Sequence, residues 1–292
     1  MPAHHAEASA RPAVGLDREP RAFAIGASGY PDGLSDLPDA PAEVHVRGRV
    51  PERCQCVALV GARAATPYGL RVAGTLARDL AAVGLTVVSG LARGIDAAAH
   101  RGALEAGGAT VAVLPAGLDH ITPAHHRDLA NQIAGCGGLF SEYATGPPWG
   151  RGAFVRRNRL IAAQSSAVVV VEAGEDSGAL STAKVARSLG RPLFAVPGDV
   201  DRPASQGCLA LLRDGARVCV SAADVLAVVP PVAARAESRL LDALRAEPAS
   251  LEALAARSGL GLSESLALLL RLQWAGAVQS CPGQRWRKSG AA

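Results

Sequence analysis

Lysine is nearly absent from this chain of 292 residues, because only two of its thirty basic residues, Lys184 and Lys288, are lysines. Aromatic residues are also scarce, at 3%, and charged residues account for 19%. With 49% hydrophobic residues, the composition excludes a disordered chain and favours a globular protein. The formal net charge of +4 is too small to indicate a nucleic-acid partner by itself, so the placement of the arginines matters more than their number.

Long apolar runs are missing as well. No stretch approaches the roughly 20 apolar residues that cross a bilayer, and the N-terminus shows no signal peptide. Cys54 and Cys56 are the one close pair among six cysteines, and a single C-x-C pair is a poor zinc site. These absences predict a reduced, cytoplasmic protein that neither enters a membrane nor binds a metal.

Short apolar runs alternate with segments of helical periodicity from Val57 to Val196. Four consecutive valines, Val168–Val171, are typical of a strand buried on both faces of a parallel sheet. The alternation predicts an α/β fold with a Rossmann-like, doubly wound, mostly parallel sheet, whose ligands bind at the carboxyl ends of the strands. The predicted strands are Val57–Val60, Thr86–Ser89, Thr110–Leu114, Ala167–Val171 and Leu193–Val196, and the predicted helices are Tyr68–Val83, Ile95–Ala106, Arg127–Ile133 and Leu180–Leu189.

The predicted domain organisation begins with a tail. Residues 1–20 lack periodicity, so we expect them to be flexible. The main domain is predicted over residues 21–229 and opens with a turn-rich segment that ends in a short strand at Val44–Gly48. A pair of prolines then begins a linker, predicted for residues 230–236.

A small winged-helix-like domain is predicted for residues 237–288. The helix that would enter a major groove, Ser263–Ala275, carries one arginine and is mostly apolar, which is poor for reading duplex DNA. We therefore predict a protein-interaction or spacer role for this domain. Its predicted elements are helices at Glu237–Ala246, Leu251–Ser258 and Ser263–Ala275, and a two-stranded wing within Ala277–Arg287.

A candidate phosphate site follows the first predicted strand, where Gly61 begins a loop that carries Arg63. Thr66 and Pro67 are typical of a helix start, at which free backbone N–H groups and the helix dipole attract anions. The segment matches neither the G-x-G-x-x-G pattern nor a P-loop. The alternative is a plain strand–loop–helix corner with a surface arginine.

A second Gly-rich turn, at Ser89 and Gly90, follows the next strand and opens another helix. Glycine at such a turn lets the backbone approach a ligand closely. Asp96 and His100 lie one turn apart on this helix. No Ser or Cys nucleophile has a clear place beside them, so we do not expect a catalytic pair.

Four arginines fall within nine residues, with Phe154 among them and no acidic residue. Arginines bind phosphates and an aromatic ring stacks on a base, which is the combination that binds single strands. The alternative is a solvated, basic helix start with Phe154 in the core. The four arginines are Arg151, Arg156, Arg157 and Arg159.

The valine-rich strand leads into an acidic loop that begins at Glu172. Ser177 and Thr182 lie at the start of the following helix, where their hydroxyl groups either hold a phosphate or cap the helix. A Val-Pro-Gly segment at 196–198 then ends the last main strand, and Ser205 is a candidate cap for the next helix.

These five segments, in this order, resemble the DNA-processing protein A family (DprA, also called Smf). The family pattern reads Gly-x-Arg-x-x-Thr-x-Tyr-Gly, Ser-Gly-x-Ala-x-Gly-Ile-Asp-x-x-x-His, Phe-Pro-x-Arg-Asn-Arg-x-Ile-Ala, Glu-Ala-x-x-x-Ser-Gly-x-x-x-Thr-Ala and Val-Pro-Gly. The likeness covers residues 30–226 and, more loosely, the C-terminal domain. Val155 stands where the family has proline, and Leu209 stands where it usually has Asn or His.

The resemblance implies an extended Rossmann fold that binds single-stranded DNA as a homodimer and loads the RecA recombinase onto incoming strands in natural transformation. We expect no enzymatic activity, no cofactor and no metal. Motif matches and the segments above give the candidate DNA contacts, which are Arg63, Thr66, Ser89, Gly90, Arg151, Phe154, Arg156, Arg157, Asn158, Arg159, Ser177 and Thr182.

Two other interpretations stay open. One is a Rossmann-fold enzyme resembling nucleotide phosphoribohydrolases, although their pattern Pro-Gly-Gly-x-Gly-Thr-x-x-Glu is missing from the corresponding residues Glu172–Ala183. The other is a transcriptional regulator whose winged helix reads duplex DNA, which the apolar composition of Ser263–Ala275 disfavours.

Overall fold

The computed structural model describes residues 19–147, 150, 152–245 and 247–289. Residues 1–18 of the predicted tail and the predicted contact Arg151 lie outside these ranges. The chain divides into two compact units between Val225 and Leu226. The domain boundaries predicted at residues 229–230 and 236–237 stay predictions.

The first unit contains a nine-stranded sheet within the described residues, in the order β1-β2-β6-β5-β4-β3-β7-β8-β9. All pairs from β6 to β9 are parallel, while β1 pairs with β2, and β2 with β6, in antiparallel fashion. The predicted doubly wound, mostly parallel sheet is therefore confirmed. The strands are β1 Arg21–Ala24, β2 Glu43–Gly48, β3 Cys56–Gly61, β4 Thr86–Ser89, β5 Thr110–Val113, β6 Gly138–Ser141, β7 Ala167–Glu172, β8 Leu193–Ala195 and β9 Arg217–Val218.

Helices cover this sheet, so its central strands are buried along their whole length. Every residue of β4, β5 and β7 is buried, as expected for parallel strands between two layers of helices. The predicted strands and helices agree with the structure to within a few residues, but β1, β6, β9, α4 and α7 were not predicted. The helices are α1 Pro67–Ala82, α2 Ile95–Glu105, α3 Arg127–Cys136, α4 Gly152–Ala163, α5 Ala179–Ser188, α6 Gln206–Arg213 and α7 Ala222–Leu226.

The strand order reverses direction at β3. From β3 the chain builds the sheet outward through β4, β5 and β6, and it then returns to add β7 and β8 on the other side of β3. In open α/β sheets a crevice opens where the order reverses, at the carboxyl ends of the strands. The fold therefore locates the crevice at Gly61, the last residue of β3, and Glu172, the last residue of β7.

The second unit is a winged helix, as predicted. Its antiparallel sheet has the order β10-β12-β11, and its core includes Leu240, Leu254, Leu269 and Trp286. The first helix begins at Val232, so part of the predicted linker is helical. The elements are α8 Val232–Ala243, β10 Ala249–Ser250, α9 Leu251–Ser258, α10 Leu262–Trp274, β11 Val278–Cys281 and β12 Arg285–Lys288.

Among the helices that the structure describes, no single one combines the length and the apolar composition that a membrane span needs. The helices α9 and α10 meet the criterion only as a pair, and a bend of 105° separates them.

Candidate functional site

A cleft of about 930 Å³ lies at the carboxyl ends of β3 and β7, where the strand order reverses. Its walls come from the β3–α1 loop, from α4, from the β7–α5 loop and from the segment before α6. Six of the predicted contacts line the cleft, namely Arg63, Phe154, Arg157, Asn158, Ser177 and Thr182. Arg156, Arg159, Thr66, Ser89 and Gly90 do not line it.

Arg63 and Phe154 meet in this cleft. The guanidinium carbon of Arg63, on the β3–α1 loop, lies 4.6 Å from the centroid of the Phe154 ring on α4. Arg63 is exposed and Phe154 is half-buried. A guanidinium over a ring face is a cation–π contact, worth about 0.5–1 kcal/mol at an exposed site, so it is easily exchanged for another partner.

The start of α1, where we predicted a phosphate, is occupied by a carboxylate of the chain itself. Glu172, buried at the end of β7, accepts hydrogen bonds from the Thr66 backbone N–H at 3.0 Å and from the Thr66 hydroxyl at 2.6 Å. The Thr66 hydroxyl oxygen in turn accepts a hydrogen bond from the Gly69 N–H at 3.1 Å. An anion therefore already sits at this helix N-terminus. Thr66 lines a separate cavity of about 360 Å³ and not the large cleft.

Gly69 shows how tightly this arrangement is built. A Cβ atom at Gly69 would lie 2.1 Å from the Glu172 carboxylate, so any other residue here would have to displace that side chain from its contacts with Thr66. The sequence analysis did not identify this role for Glu172. The signal that could have identified it is a glutamate at the last position of a buried strand, where an unpaired carboxylate would need a partner.

Arg157 faces the interior of the protein. Its guanidinium donates hydrogen bonds to the carbonyl oxygens of Gly90, at 2.6 Å, and of Val113, and its Nε donates to the Asn158 side chain at 3.1 Å. Burial lowers the pKa of Arg157 to about 10, an effect that the charge of Asp96 opposes. Arg157 therefore ties α4 to the ends of β4 and β5, and it is not free to bind a phosphate in this arrangement.

Ser89 and Gly90 belong to the same internal network. The Ser89 hydroxyl is buried and donates to the Leu59 carbonyl at 2.7 Å, which joins β4 to β3. A Cβ atom at Gly90 would lie 2.4 Å from the guanidinium of Arg157, so the glycine makes room for the arginine rather than for a ligand.

Asp96 and His100 have separate partners. Burial raises the pKa of Asp96, while the Arg157 charge lowers it, and the Asp96 carboxylate accepts a hydrogen bond from the Ala92 N–H. His100 lies 2.7 Å, through Nδ1, from the Thr110 hydroxyl, and burial lowers its pKa to about 3. This geometry gives no support to an acid–base pair.

Arg156 and Arg159 share one acidic partner, Glu142. The Nε of Arg156 lies 3.0 Å and the Nη2 of Arg159 lies 2.5 Å from its carboxylate oxygens, and Arg159 also lies 3.2 Å from Asp39. Arg159 and Glu142 are buried, whereas 61% of the Arg156 side chain is exposed. Arg159 is therefore not available for the DNA contact predicted for it, because its buried guanidinium is paired with Glu142 and Asp39.

Asn158 joins α4 to the start of α5. Its amide nitrogen donates to the Gly178 carbonyl at 3.1 Å and to the Ser181 hydroxyl at 2.9 Å. Ser177 precedes α5, and its hydroxyl oxygen accepts a hydrogen bond from the Ala179 N–H at 3.4 Å. Thr182 is almost completely buried one turn later. The first turn of α5 thus forms a wall of the cleft, held in place by Asn158.

Acidic residues also line the cleft. Glu175 and Asp176, on the β7–α5 loop, and Asp201, before α6, are exposed and form no ion pair with another described residue. Among the described residues of the lining, Arg63 is the exposed cation. Within the described part of the lining, the cleft therefore combines one exposed positive charge and one aromatic ring with three exposed carboxylates that the sequence analysis did not include.

Comparison with known proteins gives a family match for each unit. The chain matches the family described as DNA recombination-mediator protein A over residues 21–230, and the DprA winged helix domain over residues 227–284. A Synechocystis relative, described as Protein Smf, is 34% identical over 89% of this chain and 78% of its own length. Relatives from Mycobacterium tuberculosis are 44% identical over 80% of this chain, which spans 64% of their length.

Two solved structures resemble the chain closely. The DNA processing protein A of Streptococcus pneumoniae matches with a TM-score of 0.66 and 36% identity, over 71% of this chain and 73% of its own. The DNA processing protein A of Helicobacter pylori, described with a single-stranded DNA binding mode, matches with a TM-score of 0.63 and 30% identity, over 72% and 94% of the two chains.

Proposed function

The chain belongs to the DNA recombination-mediator protein A family, and we propose that its large cleft binds single-stranded DNA through Arg63 and Phe154. The contact between these two side chains in the cleft is the observation that carries the proposal. The Helicobacter pylori relative, described with a single-stranded DNA binding mode, supports it. Single strands expose unstacked bases, which duplex DNA does not, so a cleft whose described lining carries an aromatic ring and an exposed cation suits them.

When DNA binds, the contact between Arg63 and Phe154 is replaced by two contacts with the DNA strand. In the free protein the Arg63 guanidinium covers a face of the Phe154 ring. A DNA strand offers a phosphate to the arginine and a base to the ring, and base–aromatic stacking is worth roughly 1–3 kcal/mol per base. That gain exceeds the weak cation–π contact that is lost, so the exchange is favourable.

The remaining walls position the strand. The start of α5, with Ser177, supplies hydroxyl and backbone N–H groups beside the cleft, and Asn158 keeps that helix against α4. The carboxylates of Glu175, Asp176 and Asp201 repel phosphates, so the backbone of the strand runs along the Arg63 side. Phosphate groups are the same at every nucleotide, so contacts with them do not distinguish one base from another and binding is largely independent of DNA sequence.

The other predicted contacts divide into two groups. Arg156 extends the basic surface, since its side chain is largely exposed, and Arg151 remains a predicted contact. The second group acts through the frame of the cleft, because its side chains or backbone are engaged inside the protein. It consists of Thr66, Ser89, Gly90, Arg157, Arg159 and Thr182.

The proposal extends to the biological role that the family description suggests. A recombination mediator holds single-stranded DNA and passes it to a recombinase, so we propose that this chain loads the RecA recombinase onto incoming strands in natural transformation. It acts in the cytoplasm as a homodimer and without catalysis. These roles rest on the family match.

The phosphoribohydrolase interpretation makes a different prediction. An enzyme of that kind would release a free base from a nucleoside monophosphate. Glu172, the acidic residue at the end of β7, is buried and bonded to Thr66, which leaves it no open approach from the large cleft. The DNA-binding and phosphoribohydrolase interpretations are distinguished by incubating the purified chain with nucleoside monophosphates and separating the products by chromatography. Release of free bases at enzymatic rates would favour the phosphoribohydrolase.

Fluorescence anisotropy tests the proposed function. A labelled single-stranded oligonucleotide and its duplex are titrated with wild type, Arg63→Ala and Arg213→Ala. Arg213 is an exposed arginine at the last residue of α6, so its removal lowers the net charge equally. We expect wild type and Arg213→Ala to prefer the single strand, and Arg63→Ala to lose about tenfold or more in affinity. Equal losses in both variants would contradict a specific role of the cleft.

A further inference from the structure

Four large apolar side chains form a ridge on the open side of α10 in the winged helix. They are Leu262, Leu266, Leu270 and Trp274, and the exposed fractions are 52%, 38%, 50% and 93%. The residues are spaced by four, so they form a continuous row along the helix surface over about 18 Å. We call this row the α10 ridge.

The α10 ridge is not needed for the core of the domain. The buried side of α10 is formed by Leu268, Leu269 and Leu272, which pack with the other helices and the wing. The two long polar residues beside the ridge also bend away from it, because Arg271 pairs with Glu237 on α8 and the Gln273 amide donates to the Ser280 hydroxyl. The ridge is thus uncharged, and its apolar surface is open to water.

We propose that the α10 ridge binds the same ridge of a second copy of this chain, with the two helices antiparallel around a twofold axis. The spacing is symmetric about position 268. Leu266 and Leu270 lie two residues on either side of it, and Leu262 and Trp274 lie six residues on either side. An antiparallel pair therefore places each Leu266 against the partner's Leu270, and each Leu262 against the partner's Trp274.

The exposed area of the α10 ridge is large enough for a contact with a second copy of the chain. The exposed parts of three leucines and one tryptophan amount to roughly 500 Å² per chain, so a symmetric pair that covers them fully buries about 1,000 Å², the area that a specific interface needs to reach. Rows of residues spaced by four are also the ridges that interdigitate in the commonest class of helix packing. In a twofold contact the same surface faces its own copy, so any charge on it would be brought near an equal charge, and an uncharged ridge avoids this repulsion.

Duplex DNA does not fit the same surface. A recognition helix binds phosphates and base edges with arginine, lysine and amide side chains. On α10 the one arginine, Arg271, is engaged by Glu237, and the ridge itself carries no hydrogen-bonding group except the indole N–H of Trp274. The ridge is therefore an apolar self-association surface.

Site-directed crosslinking of the full chain tests the arrangement. Leu270→Cys is made in a background in which the partly exposed Cys54, Cys136 and Cys281 are replaced by Ser, and a short bis-maleimide is added. Ala256→Cys, exposed on α9 of the same domain, is the matched control. We expect linked dimers from Leu270→Cys at a yield on the order of tenfold or more above the control, because the ridge holds the two cysteines together. Equal yields would overturn the proposal.

Self-association is then measured by sedimentation over a range of protein concentrations. A buried carboxylate is costly, so Leu266→Glu and Leu270→Glu should each weaken the ridge-dependent association by about a hundredfold, and Ala256→Glu should not. Trp274→Ala tests the ridge without changing the net charge and should also weaken the association. Thermal unfolding verifies that each variant is folded. If both glutamate variants associate as wild type does, the ridge is not an interface between copies. Association through another surface is unaffected by these changes and is thereby distinguished.

Discussion

The guanidinium of Arg63 covers the ring of Phe154, with 4.6 Å between the guanidinium carbon and the ring centroid. The two side chains come from different elements, the β3–α1 loop and α4, which meet at the crevice where the strand order reverses at β3. A pair assembled in this way has two separable roles in DNA binding. The arginine supplies charge and the ring supplies a stacking surface, so substitutions of the two should have different salt dependence.

Loss of the Phe154 ring should weaken binding without changing its salt dependence. We expect Phe154→Leu to lower the affinity for single-stranded DNA by about 5- to 150-fold, since stacking of one base contributes roughly 1–3 kcal/mol. Ile25→Ala, which removes an exposed apolar side chain that does not line the cleft, is the control. Anisotropy titrations measure both, and an unchanged affinity of Phe154→Leu would show that no base stacks on this ring.

Removal of a carboxylate from the cleft should strengthen binding. Asp176 is exposed and lines the cleft, so Asp176→Asn relieves repulsion of phosphates and should raise the affinity by about two- to fivefold at low salt. The gain should vanish at high salt, where exposed charges are screened. Asp79→Asn, at an exposed position on α1, changes the net charge equally and serves as the control. A loss of affinity in Asp176→Asn would indicate that this carboxylate accepts hydrogen bonds from the bases.

Arg159 should matter for stability, because it is buried against Glu142. Removing one partner of a buried ion pair leaves the other without a counter-charge, so Arg159→Ala should lower the free energy of unfolding by about 3–5 kcal/mol. Arg156→Ala, which removes a largely exposed side chain from the same carboxylate, should cost no more than about 1 kcal/mol. Urea unfolding measures both. A fully stable Arg159→Ala that no longer binds DNA would assign this arginine to the DNA instead.

Acid should destabilise the fold through His100. Burial lowers the pKa of His100 to about 3 from an ordinary value of 6.5, with smaller effects of the charges on His126, Arg157 and Arg101. Below pH 6.5 the unfolded chain therefore binds a proton that the folded chain does not, so stability is complete above pH 6.5 and falls as the pH decreases toward 3. The loss approaches about 1.4 kcal/mol per pH unit for this one group.

The comparison that isolates His100 uses His100→Gln. Unfolding free energies of wild type and variant are measured at pH 7 and pH 5 in the same buffer ions. Wild type should lose more stability between these two pH values than the variant, by up to about 2 kcal/mol. Parallel losses would mean that His100 titrates alike in both states and that other groups cause the acid sensitivity.

Local patterns were sufficient to predict the centre of the sheet. The valines of β7 and the Gly-containing turns after β3 and β4 signal buried parallel strands without reference to distant residues. By contrast, β6 is a strand of four residues that begins with glycine, and it is held between β5 and β2. Its conformation depends on partners that are remote in sequence, so a local pattern could not reveal it.

At the site, too, the sequence does not reveal contacts with residues that are remote along the chain, as the arginines show. The sequence places four of them together near Phe154, but it does not show which charges they will meet after folding. Glu142 and Asp39 approach Arg159 from elsewhere in the chain, and the carbonyls of Gly90 and Val113 surround Arg157. Glu172 likewise reaches the start of α1 from 106 residues away. The residue types predicted a phosphate-binding surface, and only the packing shows that Arg157 and Arg159 are engaged inside the protein while Arg63 and Arg156 are exposed.

The salt dependence of single-stranded DNA affinity in Arg63→Ala tests the central claim most directly. The logarithm of the association constant is plotted against the logarithm of salt concentration for wild type, Arg63→Ala and Phe154→Leu. Loss of one phosphate contact should reduce the magnitude of the slope by about 0.7 in Arg63→Ala and leave it unchanged in Phe154→Leu. Identical slopes for wild type and Arg63→Ala would contradict the claim that Arg63 binds a phosphate in this cleft.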